Sequence, residues 1–258
     1  MRQHQSGAAQ YTSDIADTYF FLRVSLGSIA VALPLVLWLG GKALLDIAPQ
    51  PSISAYYHTD LRDVMVGALC AVGLALLIYK GFSRAEDWLL NIAGVLVVGV
   101  ALFPTDPARL LQCFPPCAAQ CVAFSPKLDR TADVLIRSGL HGCFAVGFFA
   151  AIGSVCIFCA QRTLHLIARP AVRKFYRSAY KLLGVAMWAL PLTTAAWLRL
   201  SPDAGSDCAD RTVFWVEAAG IWVFAAYWWL KTYEARQYGA DHKYPERRAI
   251  PDALAAMK

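Results

Sequence analysis

Charged side chains are scarce in this chain: Asp, Glu, Lys and Arg make up 16% of its 258 residues. A soluble domain carries about 25%, so a water-facing surface cannot be covered at this length. No lipidation motif and no low-complexity segment is visible. No cleavable signal peptide is visible either. The first apolar run follows some 23 polar residues and is too long for a signal core, so it is expected to act as an uncleaved anchor. The net charge is +6, yet no basic soluble module stands apart to take up nucleic acid. The chain contains no H-x-x-x-H pair and no nucleophile-elbow motif, which removes the two most direct sequence signs of a zinc enzyme and of a serine hydrolase.

What is present is grease in long runs. Hydrophobic residues make up 58% of the chain, and stretches near the roughly 20 residues needed to cross a bilayer as a helix recur from end to end. The expected architecture is all-α: a polytopic transmembrane helix bundle with six spans, roughly 24–45, 64–80, 88–104, 138–160, 180–198 and 213–230. Residues 1–23 are then a cytoplasmic N-terminal segment, 24–231 the six-helix domain, and 232–258 a basic cytoplasmic tail. Pro34 and Pro191 fall inside spans, where a kink is tolerated if neighbours satisfy the freed carbonyl. "GALCAVG" at 67–73 and "GCFAVG" at 142–147 read as small-residue packing faces.

The cations assign the sides. Sixteen Lys and Arg fall on the side of the two termini and seven on the other, with Lys42 inside the first run. That bias predicts both termini in the cytoplasm. The segment "QRTLHLIARPAVRKFYRSAYK" carries most of it and reads as a topology anchor at anionic headgroups. Cysteine agrees. Cys113, Cys117, Cys121 and Cys208 fall in the two larger outer loops, and none falls in the inner loops or tails. At least one disulfide among these four is expected, with the pairing open. "CIFC" at 156–159 lacks a thioredoxin-like surround, so Cys156 and Cys159 read as small buried residues.

Oriented this way, four runs carry polar groups at a common depth near the outer side. Ser54, His58, Asp60, Arg62 and Asp63 lead into the second run, and Thr105 ends the third. His141 lies about one turn inside the fourth, and Glu217 about one turn inside the sixth. An ionised carboxylate within a span costs on the order of 3 kcal/mol at mid-bilayer and less near the interface, so Glu217 is expected to face the bundle with a partner. Arg62, His58 and His141 are the candidates. Asp60 and Asp63 have the spacing of a helix cap and a first-turn carboxylate. The set His58, His141, Asp63 and Glu217 could hold zinc, or supply acid and base. Ser54, Asp60, Arg62 and Thr105 would line a ligand site. A Ser–His–acid arrangement would use Ser52 or Ser54.

"PSISAYYHTDLRDVMVGALCAVGLALLIYKGFSRAED" and the following "AGVLVVGVALFPT" resemble a set of bacterial multi-pass membrane proteins of unknown function. So do "HGCFAVGFFA", "KFYRSAYKLLGVAM" and "VEAAGIWVFAAYWWLK". This likeness spans about residues 50–232 and implies the membrane fold but no activity. More distantly, the chain is similar to the CREST superfamily of alkaline ceramidases, PAQR-type receptors and related lipid-modifying hydrolases. Those carry a Ser and a His four apart, an Asp on a following helix and a His pair on the last helix. Ser54 and His58 match the first element. Asp63 stands for the Asp, sooner and on the same helix, and Glu217 stands where the His pair would be. Three functional classes follow: a site open to the outer leaflet that binds or hydrolyses a lipid or small molecule, a non-catalytic scaffold or receptor held by an Arg62–Glu217 pair, and a transporter. Paired discontinuous helices, the usual sign of the last, are not apparent.

Overall fold

The computed structural model describes residues 2–47, 49–103, 105, 131–200 and 211–241. Among these every regular element is helical and no strand occurs. Six long helices form: α1 (Arg2–Leu35), α2 (Arg62–Ile78), α3 (Arg84–Leu102), α4 (Thr131–Ser154), α5 (Pro170–Leu200) and α6 (Thr212–Tyr238). Among the described residues four segments are long and apolar enough to cross a membrane: Ser13–Leu45, Arg84–Leu102, Gly139–Leu166 and Thr212–Tyr238. α2, at 17 residues, sits at the lower limit for a span, and α5 opens on a run of cations. Cysteines 113, 117, 121 and 208 lie outside the described residues, whereas Cys70, Cys143, Cys156 and Cys159 are free thiols.

Successive helices pack side by side, and α1 closes the ring against α6 and α2. α1 begins at Arg2, well before the apolar run, because nothing in the preceding polar stretch breaks it. Pro34 has no N–H to give the carbonyl one turn back. The backbone absorbs this through a wider π turn at Val36–Gly40 and continues as helix to Leu45. Asp46 then ends the helix in the left-handed region at φ 51°, a conformation Asp tolerates better than most residues.

Large apolar side chains cover the outside of the bundle, among them Phe21, Leu74, Trp88 and Val95, as expected where hydrocarbon replaces water. Inside, the helices meet on small residues. A Cβ on Gly73 would lie 2.9 Å from the Gly94 carbonyl oxygen, and one on Gly94 would lie 2.8 Å from that of Gly73. Gly153 and Gly184 make the same mutual approach between α4 and α5. Only part of each expected small-residue face is used. Gly73 and Gly147 pack, but Gly67 and Gly142 face open space, because one helix face cannot hold residues six and five apart.

The apolar interior falls into two clusters. The larger runs from Leu26 through Leu76, Leu90 and Ile152 to Trp228. The smaller one gathers Leu33, Leu37, Ile53, Tyr56, Leu61, Met65, Phe214 and Ala218 at the end where α1 finishes and α6 starts. It pins the connecting segment 46–61 over that end of the bundle, and this segment carries the candidate site.

Candidate functional site

The segment is held from both flanks by backbone bonds. The first N–H groups of a helix have no partner within it, and Phe214 of α6 donates its own to the Pro51 carbonyl at 3.0 Å. Ser52 steadies the start of the short 3₁₀ turn Ser54–His58 from two residues before it, its hydroxyl accepting from Ala55 N at 3.1 Å. Thr59 closes the far side, donating to Tyr56 O at 2.8 Å and accepting from Leu61 N at 3.2 Å. Ile53, Ala55 and Tyr56 point inward and are buried, and burial pushes the Tyr56 phenol up from its ordinary value. With its neighbours committed to apolar contacts or to the turn, Ser54 is the hydroxyl left facing the polar groups of α4 and α6.

Those groups meet on it. His141 Nε2 lies 2.9 Å from Ser54 Oγ, and its Nδ1 lies 2.7 Å from the Phe103 carbonyl oxygen. A carbonyl only accepts, so Nδ1 carries the proton. In the neutral ring Nε2 is then the bare nitrogen, and Ser54 Oγ–H donates to it. Glu217 completes the group. Its Oε2 accepts from Ile53 N at 2.6 Å and from Ser54 N at 3.4 Å, and its Oε1 lies 3.4 Å from Ser54 Oγ. The Ser54 hydroxyl therefore stands between an imidazole on α4 and a carboxyl on α6, with its one proton given to the nearer His141. His141 is 8% exposed, which shields the pair without sealing Ser54, itself only partly buried.

His58 serves the same end of α3 from the other side. Its Nε2–H donates to the Thr105 carbonyl at 3.0 Å. The two histidines thus hold Phe103 O and Thr105 O, the carbonyls where α3 gives out and helix bonds end.

The remaining expected residues go elsewhere. Asp60, Arg62 and Asp63 are exposed. The residue that caps α2 is Leu61, with no side-chain cap, so Asp60 does not cap it and Asp63 remains a first-turn carboxylate. Arg62 does not reach Glu217. Its guanidinium bonds the Tyr57 hydroxyl at 2.8 Å and stacks over that ring at 4.5 Å, an arrangement that keeps the charge in solvent, whereas Glu217 is already supplied by backbone N–H groups. Zinc does not fit these residues. Among the described residues no three His, Cys, Asp or Glu side chains gather as ligands. Both His141 nitrogens are spent on protein partners, and Asp63 points outward.

A second polar cluster, not anticipated from the sequence, lies at the opposite end, about 25 Å away along α6 at 1.5 Å per residue. Lys231 Nζ bonds Glu234 Oε2 at 2.8 Å, Thr163 Oγ1 at 2.6 Å and the Ala160 carbonyl at 3.2 Å. Glu234 also accepts from Thr163 Oγ1 at 2.6 Å and from the Tyr180 hydroxyl at 2.7 Å. Beside it Arg23 binds both oxygens of Asp241 and donates to the Tyr79 hydroxyl. Arg23, Lys231 and Glu234 are all fully buried, although the first two read from sequence as flanking cations. The i, i+3 placement of Lys231 and Glu234 within "WWLKTYEA" was the available signal. Compared with known families, curated proteins and solved structures, the chain shows no match.

Proposed function

We propose that this chain is a multi-pass protein of a bacterial inner membrane with six spans, both termini in the cytoplasm and a hydrolytic centre at its outer end. Two facts support the six crossings. α2 and α5 pack in the ring as consecutive members between the four most apolar segments, and α5, with 31 residues, has ample length. The cation bias sets the orientation. The proposed substrate is an ester or amide of a lipid or small molecule entering from the outer leaflet.

The observation that carries the activity is the orientation of His141. A nucleophile needs a base within hydrogen-bond reach, and the base needs a third group to hold its tautomer. Here Ser54 is the nucleophile, His141 Nε2 the base, and the Phe103 carbonyl the group that keeps the proton on Nδ1. As Ser54 Oγ bonds the substrate carbonyl carbon, its proton passes to Nε2 and the leaving group then takes it. Water, activated by the same nitrogen, releases the acyl group and restores Ser54. Glu217 is a positioning residue: its carboxyl accepts from the Ile53 and Ser54 N–H groups and fixes the 53–54 backbone that presents Ser54 to His141. The family resemblance pairs Ser54 with His58. The geometry favours His141 in that role, since His58 is turned to Thr105.

One observation favours the non-catalytic reading. Glu217 occupies the N–H groups of both Ile53 and Ser54, the kind of donors a hydrolase aims at a developing oxyanion. In that reading Ser54–Glu217 is a clamp joining the 46–61 segment to α6. A fluorophosphonate probe separates the two. The hydrolase reading expects a covalent adduct on Ser54, absent in Ser54→Ala and strongly slowed in His141→Gln. Folded wild-type protein that stays unlabelled would leave the clamp as the function of the cluster.

A further inference from the structure

The outward face of α5 changes character along its axis. At 100° per residue, Lys174, Arg177, Ser178 and Lys181 fall on one side of the helix, and all four are exposed. The opposite side, through Tyr176, Tyr180, Gly184 and Met187, is buried in the bundle. Immediately beyond the cations the same outward face turns apolar: Leu182 is 71%, Val185 53% and Leu192 56% exposed. Phe175, 63% exposed, flanks the basic turns.

The three cations have no internal explanation. α5 contains no Asp or Glu, and among the described residues Lys174, Arg177 and Lys181 enter no ion pair. They stand at i, i+3 and i+7, so they repel one another along the helix. Arg173 differs: it donates twice to the Ile167 carbonyl and holds the turn into α5. A set of cations that weakens its own helix is relieved only by an external anion, and the anion that suits it must also wet the apolar strip next to it.

We propose that this face is a binding site for an anionic phospholipid. The phosphate sits among Lys174, Arg177 and Lys181 with the Ser178 hydroxyl at its centre, and the acyl chains run along Leu182, Val185 and Leu192. The apolar strip distinguishes the site from one for free phosphate, which would gain nothing from it. The inference is independent of the chemistry at Ser54.

The test uses the full-length protein in detergent micelles, titrated with phosphatidylglycerol, with phosphatidylcholine or with inorganic phosphate. Retained lipid is read by native mass spectrometry and binding by thermal shift. Wild type is expected to prefer phosphatidylglycerol, with the preference eroded by high salt. Lys174→Gln/Arg177→Gln/Lys181→Gln should lose affinity for it by about a hundredfold at unchanged helicity. Should the triple variant misfold, Arg177→Gln alone is expected to lose roughly fivefold. Equal binding of both lipids by wild type, an undiminished preference in a folded variant, or displacement by inorganic phosphate at the concentration of the lipid would overturn the proposal.

Discussion

Replacing Lys231 with Met tests whether the buried cluster at the inner end holds α4, α5 and α6 together. Met keeps the length and apolar volume of the side chain but removes three hydrogen-bond donors, each of which has an acceptor at 2.6–3.2 Å. Glu234 would keep Thr163 and Tyr180 as donors and lose the one cation paired with it among the described residues while fully buried. Breaking a buried ion pair from one side costs about 3–5 kcal/mol, because the stranded charge stays out of water. For a chain of this size that is a fall in midpoint on the order of 10 °C. The companion Lys231→Met/Glu234→Gln removes both charges, leaving an amide oxygen to accept from one of the Thr163 and Tyr180 hydroxyls and an amide NH2 to donate to the other. It should recover most of the loss, to within about 1–2 kcal/mol of wild type. The assay is thermal unfolding of purified protein in one detergent, followed by circular dichroism. A single variant that melts within about 3 °C of wild type, or a double variant as unstable as the single, would refute the account of a stranded charge.

The helix crossings give a second prediction. Gly153→Ala would set a methyl group 2.9 Å from the Gly184 carbonyl and closer still to the Trp188 ring, so a loss of about 1–3 kcal/mol is expected. Gly142→Ala, with open space around it, should be neutral or slightly stabilising; the same melting assay ranks them. For the cysteines, fewer than all eight thiols should react with maleimide in protein denatured without reductant, as one disulfide among Cys113, Cys117, Cys121 and Cys208 requires. Eight reactive thiols would dismiss it. For topology, a reporter fused at the C-terminus should be cytoplasmic, and one fused after Thr105 should be outside. Labelling of a cysteine placed in 161–178 by an impermeant reagent on intact cells would reverse the orientation.

The helical architecture was legible in the sequence because it depends on counting. Rise per residue fixes how many apolar residues cross a bilayer, and backbone groups in hydrocarbon have no partner except within a helix. Counting also placed Ser54, Thr105, His141 and Glu217 near one depth, since position along a helix converts directly to height. Rotation about each helix and the path of the 46–61 segment could not be counted. Those follow from which apolar side chains fill the cluster around Tyr56, Leu61 and Phe214, and that packing turns Ser54, rather than Arg62, toward Glu217. Hydrogen bonding is settled within a few tenths of an ångström, a scale that only packed neighbours reach. The same limit hid the inner cluster. Arg23 and Lys231 carry the composition of flanking cations, and only the return of Asp241 and the approach of Thr163 and Tyr180 make burying them tolerable.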